Sequence, residues 1–422
     1  MVKEVDGIQN IVVMKILLIN HYAGSKEYGM EYRPYYLACE WIKQGHQVTI
    51  AGASFSHLRL KNPDVKNDYQ EEYIEGVRYI WFKTPEYEGS LKRIMNILTF
   101  MLKLRNYSKR LSREVNPDLV IASSTYPLDN YLAHKIANNS GAKYTYEIHD
   151  LWPLSPMLIG GYSKYHPFIW VMQKAEDYAY RHVDKVVSLL WNTERHCVEH
   201  GLASGKFVCV PNGYFPEEWT EDKFHQELPA EHQKIFDSLK GKIIVGFAGG
   251  FAASGNVITL VRSAVELKNR DDIHFVLVGK GPELPSYNKL IKENNLSNIT
   301  ILPAVSKNLI PAVNSHFDIA HLGGLHSELH QYGTSYNKMT DYMLCSLPIV
   351  QSVDEPGSVV ERVGCGIRVE AENVKAVANA ILQLADMSVE KRKEMGARGK
   401  EYVEMNLPWS KLAEDFLKPF LS

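Results

Sequence analysis

From Met14 onward the chain alternates short apolar runs with amphipathic stretches, and it does so in two successive series. That rhythm admits little besides parallel α/β sheets. Met14-Lys-Ile-Leu-Leu-Ile-Asn20 reads as a buried strand, and residues 31–44 follow with helical spacing of Tyr32, Tyr35, Tyr36, Cys39 and Ile42. Gly45 stops that helix and residues 46–52 return as a strand. Strand, helix, strand is a right-handed βαβ unit. Further strands are expected near 118–123, 143–148, 184–189 and 206–210. Residues 216–240 turn charged and irregular, as a linker does. A second series restarts at residues 242–250, with a helix over 256–268 and strands near 274–279, 299–302, 317–322, 347–352 and 366–369.

Two α/β series of similar size predict two Rossmann-like domains facing a cleft. The first is expected over 1–215, after a short leader at 1–13, and is joined by a returning C-terminal helix at 408–422. The linker and second domain take 216–407. A chain of 422 residues is long enough for two cores. Ligand loops in such sheets follow strand C-termini, so the loops after 20, 148, 250, 279, 304 and 324 should carry function.

A net charge of −2 and the lack of low-complexity tracts exclude a nucleic-acid binder and a disordered chain. The five cysteines (Cys39, Cys197, Cys209, Cys345, Cys365) are scattered without a CxxC pair, which fits a reducing compartment. Lys3, Glu4 and Asp6 interrupt the N-terminus, and no uncharged run reaches about 20 residues, so the expectation is a cytoplasmic protein. Residues 91–113 are apolar on one side and basic on the other. They suit either the inner face of an anionic membrane or a solvated basic face packed on its own sheet.

The densest candidate chemistry lies at 332–350, Tyr-Gly-Thr-Ser-Tyr-Asn-Lys-Met-Thr-Asp-Tyr-Met-Leu-Cys-Ser-Leu-Pro-Ile-Val. Gly333, Thr334, Ser335 and Asn337 enter a helix N-terminus, where amides and the helix dipole favour an anion. Lys338 adds a full positive charge, and Asp341 shares its face as an acceptor for a sugar hydroxyl. Gly246-Phe-Ala-Gly249-Gly250 and Val278-Gly279-Lys280-Gly281-Pro282 are strand-to-glycine loops whose amides suit a diphosphate. In the first series, His21, Tyr22, Gly24, Gly29 and Arg33 lie in or beside a long loop after the first strand, and His149-Asp150 closes a strand at its ligand edge. His149 suits a sugar hydroxyl or a departing phosphate. His326 and His330 are four apart, but Glu328 sits one place late for a zincin motif, and no Asp-x-Asp occurs, so neither a metal nor another cofactor is expected.

Together these residues resemble the two-Rossmann (GT-B) glycosyltransferases of the retaining family four. The likeness adds Gly45-His46, Val210-Pro-Asn-Gly213 at the domain junction and Phe247-Ala-Gly249. The stretch Ser335-Tyr-Asn-Lys338-Met-Thr-Asp341-Tyr-Met343 is similar to the Ser-Pro-x-Lys-x-x-Asp/Glu-Tyr-Met pattern of L-fucosamine transferase-like enzymes of bacterial polysaccharide synthesis. The resemblance implies transfer from a UDP-linked sugar, a substrate and not a cofactor, to a saccharide or lipid-linked acceptor. By it Gly249, Gly250, Gly279, Lys280, Gly281, Ser335, Asn337 and Asp341 bind the donor, His149 and Lys338 are catalytic, and His21, Tyr22, Gly24, Gly29, Arg33 and Asp150 serve the acceptor. Departures are specific. The family's Glu-x7-Glu reads Gly333 and Asp341 here, its diphosphate-binding cations after Phe-x-Gly are missing, and Tyr336 replaces the pattern's proline. A sugar-nucleotide epimerase or hydrolase, or a non-catalytic nucleotide-sugar binder, fits the same features.

Overall fold

A computed structural model describes residues 13–421 of the chain, so the expected leader lies almost wholly outside the described residues. Two compact units appear. One spans Met1–Pro211 with Trp409–Ser422, and the other spans Asn212–Pro408.

The first unit is built on a sheet of β1 (Lys15–Ile19), β2 (Gln47–Ala53), β3 (Gln70–Ile74), β4 (Val77–Phe82), β5 (Leu119–Ala122), β6 (Lys143–Ile148), β7 (Lys185–Ser188) and β8 (Phe207–Cys209). The order is β3-β4-β2-β1-β5-β6-β7-β8, parallel except for the edge pair β3/β4. That edge hairpin is absent from the expected strands. Its partner Val77–Phe82 is a continuous apolar-aromatic run that the strand–helix rhythm passes over.

The second unit carries β9 (Ile243–Gly250), β10 (Ile273–Lys280), β11 (Ile299–Leu302), β12 (Ile319–Gly323), β13 (Ile349–Ser352) and β14 (Gly366–Val369), in the order β11-β10-β9-β12-β13-β14. This is the strand order of a doubly wound dinucleotide-type sheet. Both faces are covered. Along β9, Ile244 and Ala248 enter a core with Phe317 and Tyr342, while Val245 and Phe247 enter another with Leu260 and Ile381. Gly246 sits where a Cβ would lie 2.1 Å from the Phe317 ring, so the ring packs directly on strand backbone. The stretch expected as a linker instead folds as part of this unit, with a helix Ala230–Ser238 whose Phe236 belongs to the core.

The helix Trp409–Leu417 returns to the first unit and packs on the helix Arg33–Lys43. Trp41 Nε1 donates to the Ala413 carbonyl at 3.0 Å, and its ring meets Phe416 edge-on at 5.1 Å. Pro34 at the start of the Arg33–Lys43 helix supplies the fixed φ a first turn needs. Arg33 faces inward from that turn. Its Nε donates to Glu147 on β6 at 2.9 Å, and its two terminal nitrogens donate to the carbonyls of Pro211 and Val210, each at 2.8 Å. One guanidinium thus binds the helix, the central sheet and the chain leaving β8.

Removing this cation strands a buried carboxylate and two carbonyls. Arg33→Met is expected to lower unfolding stability by about 3–5 kcal/mol in urea titration. Lys61→Met, at a pair exposed on both sides, should change it by less than about 1 kcal/mol. Equal, small losses in both would show that Arg33 holds nothing together.

Candidate active site

In the first unit, three strand ends converge. Asn20, after β1, donates from Nδ2 to the Ser123 carbonyl at 2.6 Å. Ser123, after β5, donates from Oγ to Glu147 Oε2 at 2.6 Å and lies 2.9 Å from His149 Nε2. His149, after β6, also reaches Glu147 Oε2 at 3.2 Å. Burial alone would push the Glu147 carboxyl up, but Arg33 and His149 outweigh it and hold it at about 2. Burial pulls the His149 imidazole down, and the Glu147 charge and hydrogen bond more than reverse this, so its pKa stands above the ordinary 6.5. The result is an imidazole whose protonated form is favoured and whose Nε2 side is anchored, beside the exposed Asp150.

The expectation that His21, Tyr22 and Arg33 meet an acceptor directly gives way, because all three are buried. His21 is packed against Tyr22 and Phe100, its Nδ1 is 2.5 Å from the Tyr126 hydroxyl, and burial lowers its pKa to about 3. It is a neutral core imidazole. Tyr22 points its hydroxyl at Arg93 (3.2–3.3 Å), with that guanidinium over its ring. Gly24 and Gly29 fold the loop on itself. Ser25 and Gly29 exchange backbone hydrogen bonds, and a Cβ on Gly24 would lie 1.9 Å from the Gly29 carbonyl.

In the second unit the glycines serve close packing. Gly249 and Gly279 are register partners on β9 and β10, as are Gly250 and Lys280. A Cβ on Gly279 would lie 2.0 Å from the Gly249 carbonyl, and one on Gly281 would lie 2.4 Å from that of Phe251. The two loops therefore run backbone against backbone. Gly250 and Lys280 remain exposed at their rim.

The helix Asn337–Leu344 stands beside these loops, tied to β9 by the Ala248 amide donating to the Tyr342 hydroxyl at 3.2 Å. Tyr336 occupies its N-cap and offers the first amides no side-chain acceptor. Lys338 lays its chain across Gly249, where a Cβ would be 2.1 Å from Lys338 Cε, and its ammonium is 5.7 Å from the centre of the Phe247 ring. Burial depresses the Lys338 pKa, partly offset by Asp341. Among the described residues no carboxylate comes within ion-pair distance of this ammonium. Burial likewise raises Asp341, to about 6, against the pull of Lys307 and Lys338. Ser335 and Asn337 flank the helix entry, Asn337 exposed.

One residue escaped the sequence reading. Glu355, after β13, is buried and accepts from both the Thr334 amide (3.0 Å) and hydroxyl (2.5 Å), fixing the loop before Lys338. Its signal was the strand at 347–352, whose following loop the rule for parallel sheets also marks. His326 is exposed and pairs with Asp354 at 2.6 Å, while His330 faces the Tyr336 hydroxyl at 3.3 Å, so the two imidazoles have separate partners. The helix Ser90–Val115 buries Ile97, Phe100 and Leu104 and leaves Leu91, Met95, Leu98 and Leu102 exposed among its basic residues. No helix among the described residues is long and apolar enough to cross a membrane.

The two units match two family models, a glycosyl transferase 4-like domain over residues 28–213 and glycosyl transferases group 1 over 242–387. No curated protein matches the sequence. Solved structures similar in fold include a glycosyltransferase from Rickettsia africae (TM-score 0.68, 17% identity, 96% of this chain and 97% of that one). Anabaena HepE in complex with UDP and glucose is similar at TM-score 0.63 and 13% identity, over 97% of this chain and 100% of that one. Sucrose-phosphate synthase from Thermosynechococcus elongatus is similar at TM-score 0.66 and 16% identity, over 96% and 98%. The sheets, the strand order and the two matched domains lead to one assignment: the chain belongs to the glycosyltransferases of GT-B fold.

Proposed function

We propose that this protein is a retaining glycosyltransferase that moves a sugar from a UDP-linked donor to a saccharide or lipid-linked saccharide acceptor in surface polysaccharide synthesis. The observation that carries the reading is Lys338: a half-buried ammonium laid over Gly249, with no ion-pair partner among the described residues. A desolvated cation without a counter-charge is costly, and a diphosphate supplies that charge. Its neighbours suit the rest of the donor. The amides of the β9 and β10 loops, with Ser335 and Asn337, face phosphate and sugar, and Asp341 accepts from a ribose hydroxyl. UDP complexes of similar folds, such as HepE, support the nucleotide class.

In the first unit His149, its pKa raised by Glu147, is suited to donate a hydrogen bond to a sugar hydroxyl or phosphate oxygen, with the outer 21–33 loop and Asp150 on the acceptor. In a front-face retaining reaction the departing phosphate takes the acceptor proton, so no dedicated carboxylate base, metal or cofactor is required. Rate then comes from positioning and from neutralising the leaving group. The exposed apolar residues of the helix Ser90–Val115, set among lysines and arginines, suit contact with the inner membrane face, where lipid-linked acceptors reside.

Lys338→Ala should lower turnover with the nucleotide sugar by about 10²–10³-fold while circular dichroism stays native. Near-normal activity would sink its assigned role. A thermal-shift panel of UDP, GDP and ADP should show stabilisation by UDP alone.

Asp341 sets a pH dependence. Its folded pKa is raised to about 6, so the hydrogen-bond-accepting carboxylate is present above that value and lost as pH falls through it. Uridine, which has no titrating phosphate, should therefore bind about tenfold more weakly at pH 5 than at pH 7 in NMR titrations. Asp341→Asn should bind weakly and equally at both. Parallel pH profiles for the two proteins would remove Asp341 from the ribose site.

A further inference from the structure

A second His-x3-His pair, His196 and His200, lies where the helix Glu194–Glu199 meets the helix Pro167–His182. Four residues apart, the two imidazoles share a face. The facing helix presents Glu176 and Asp177. His196 Nε2 is 3.0 Å from Glu176 Oε1, and His200 Nδ1 is 3.0 Å from Asp177 Oδ1. Gln173 Nε2 sits among them, at 2.8 Å from Glu176 Oε2, 2.8 Å from Asp177 Oδ1 and 2.9 Å from His200 Nδ1. One donor atom each from Glu176, His196 and His200 falls within 4.8 Å of the others, the sole grouping of this kind among the described residues.

Three features separate this cluster from a surface network. Glu176 and His196 are buried, with side chains 1% and 7% exposed, whereas His200 at 32% leaves one open side through which an ion and its water can enter. Among the described residues Glu176 forms no ion pair with a lysine or arginine, and an imidazole is its only candidate cation. Finally, the Tyr180 hydroxyl donates to Glu176 Oε1 at 2.8 Å, fixing the carboxylate as outer partners of metal ligands do. At His326 and His330, by contrast, the partners diverge and the first imidazole is exposed.

We propose that Glu176, His196 and His200 bind a divalent transition metal ion, with Asp177 or water as a fourth ligand. Two imidazoles and a carboxylate form the mixed nitrogen–oxygen set that suits zinc, not the all-oxygen set of calcium or magnesium. Tetrahedral zinc spaces its ligands roughly 3.4 Å apart, so the group closes by about 1 Å as His200 turns from Asp177 to the ion. The ion clamps the two helices behind β6 and β7. It takes no part in sugar transfer, and the inference stands on residues independent of the donor site.

The test uses full-length protein with any affinity tag removed, stripped with chelator and titrated with Zn²⁺ by calorimetry and elemental analysis. One equivalent of zinc per chain, a raised melting temperature and no response to Mg²⁺ are expected. His200→Ala, at the open edge, should fold and weaken zinc binding by at least about tenfold, and Glu176→Gln should abolish it. His326→Ala should bind as wild type. Zinc uptake below about a fifth of an equivalent, Mg²⁺ binding as tight as zinc, or His200→Ala indistinguishable from wild type would each overturn the site.

Discussion

A carboxylate taken out of water is stable in a fold only where cations and donors replace its hydration, and the first unit is arranged around one such group. Glu147 ends β6 with its side chain fully buried, held by Arg33, the Ser123 hydroxyl and His149. Those partners come from the first helix, the end of β5 and the exit of β6, so one charge fixes three segments at the C-terminal edge of the sheet. The same charge raises the His149 pKa above its ordinary value. Structure and chemistry are thus coupled here: the contact that assembles the edge also favours the protonated form of the His149 imidazole.

In the second unit the governing constraint is distance rather than charge. Backbones approach within contact only where side chains are absent, and Gly246, Gly249, Gly279 and Gly281 clear space for, respectively, the Phe317 ring, the Lys338 chain, the Gly249 carbonyl and that of Phe251. Gly249 is the pivotal one. Any side chain there would displace Lys338. The cation beside these loops therefore comes from the helix that follows β12 in the chain, not from the loop that ends β9.

Much of this was legible in the sequence because it follows from period and punctuation. The apolar runs closely mark twelve of the fourteen described strands, and Gly45 marks the end of the first helix. What the sequence concealed is direction. His21, Tyr22 and Arg33 follow a strand at the ligand edge and read as ligand groups, yet each turns inward, which local spacing does not encode. Arg33 could not be assigned without knowing that Glu147, more than a hundred residues later, lies across from it. The β3/β4 edge was passed over because an antiparallel hairpin breaks the strand–helix rhythm used to find its neighbours. His196 and His200 were silent for a similar reason: their acidic partners lie on another helix.

The residue that departs furthest from the resembled family, Gly333, is also best understood through long-range contacts. Its φ of 104° is a conformation that glutamate adopts only with strain, so the local backbone differs from one built around an acidic side chain. Immediately after it, Thr334 is held by amide and hydroxyl to Glu355, and the Gln351 amide donates to the same carboxylate at 3.0 Å. Tyr336, in place of proline, adds a contact to His330. Rigidity that a proline and a loop acid provide locally is here drawn from a buried acid on the neighbouring strand exit. The helix N-terminus and Lys338 thus follow a loop whose position is fixed by the buried Glu355 carboxylate.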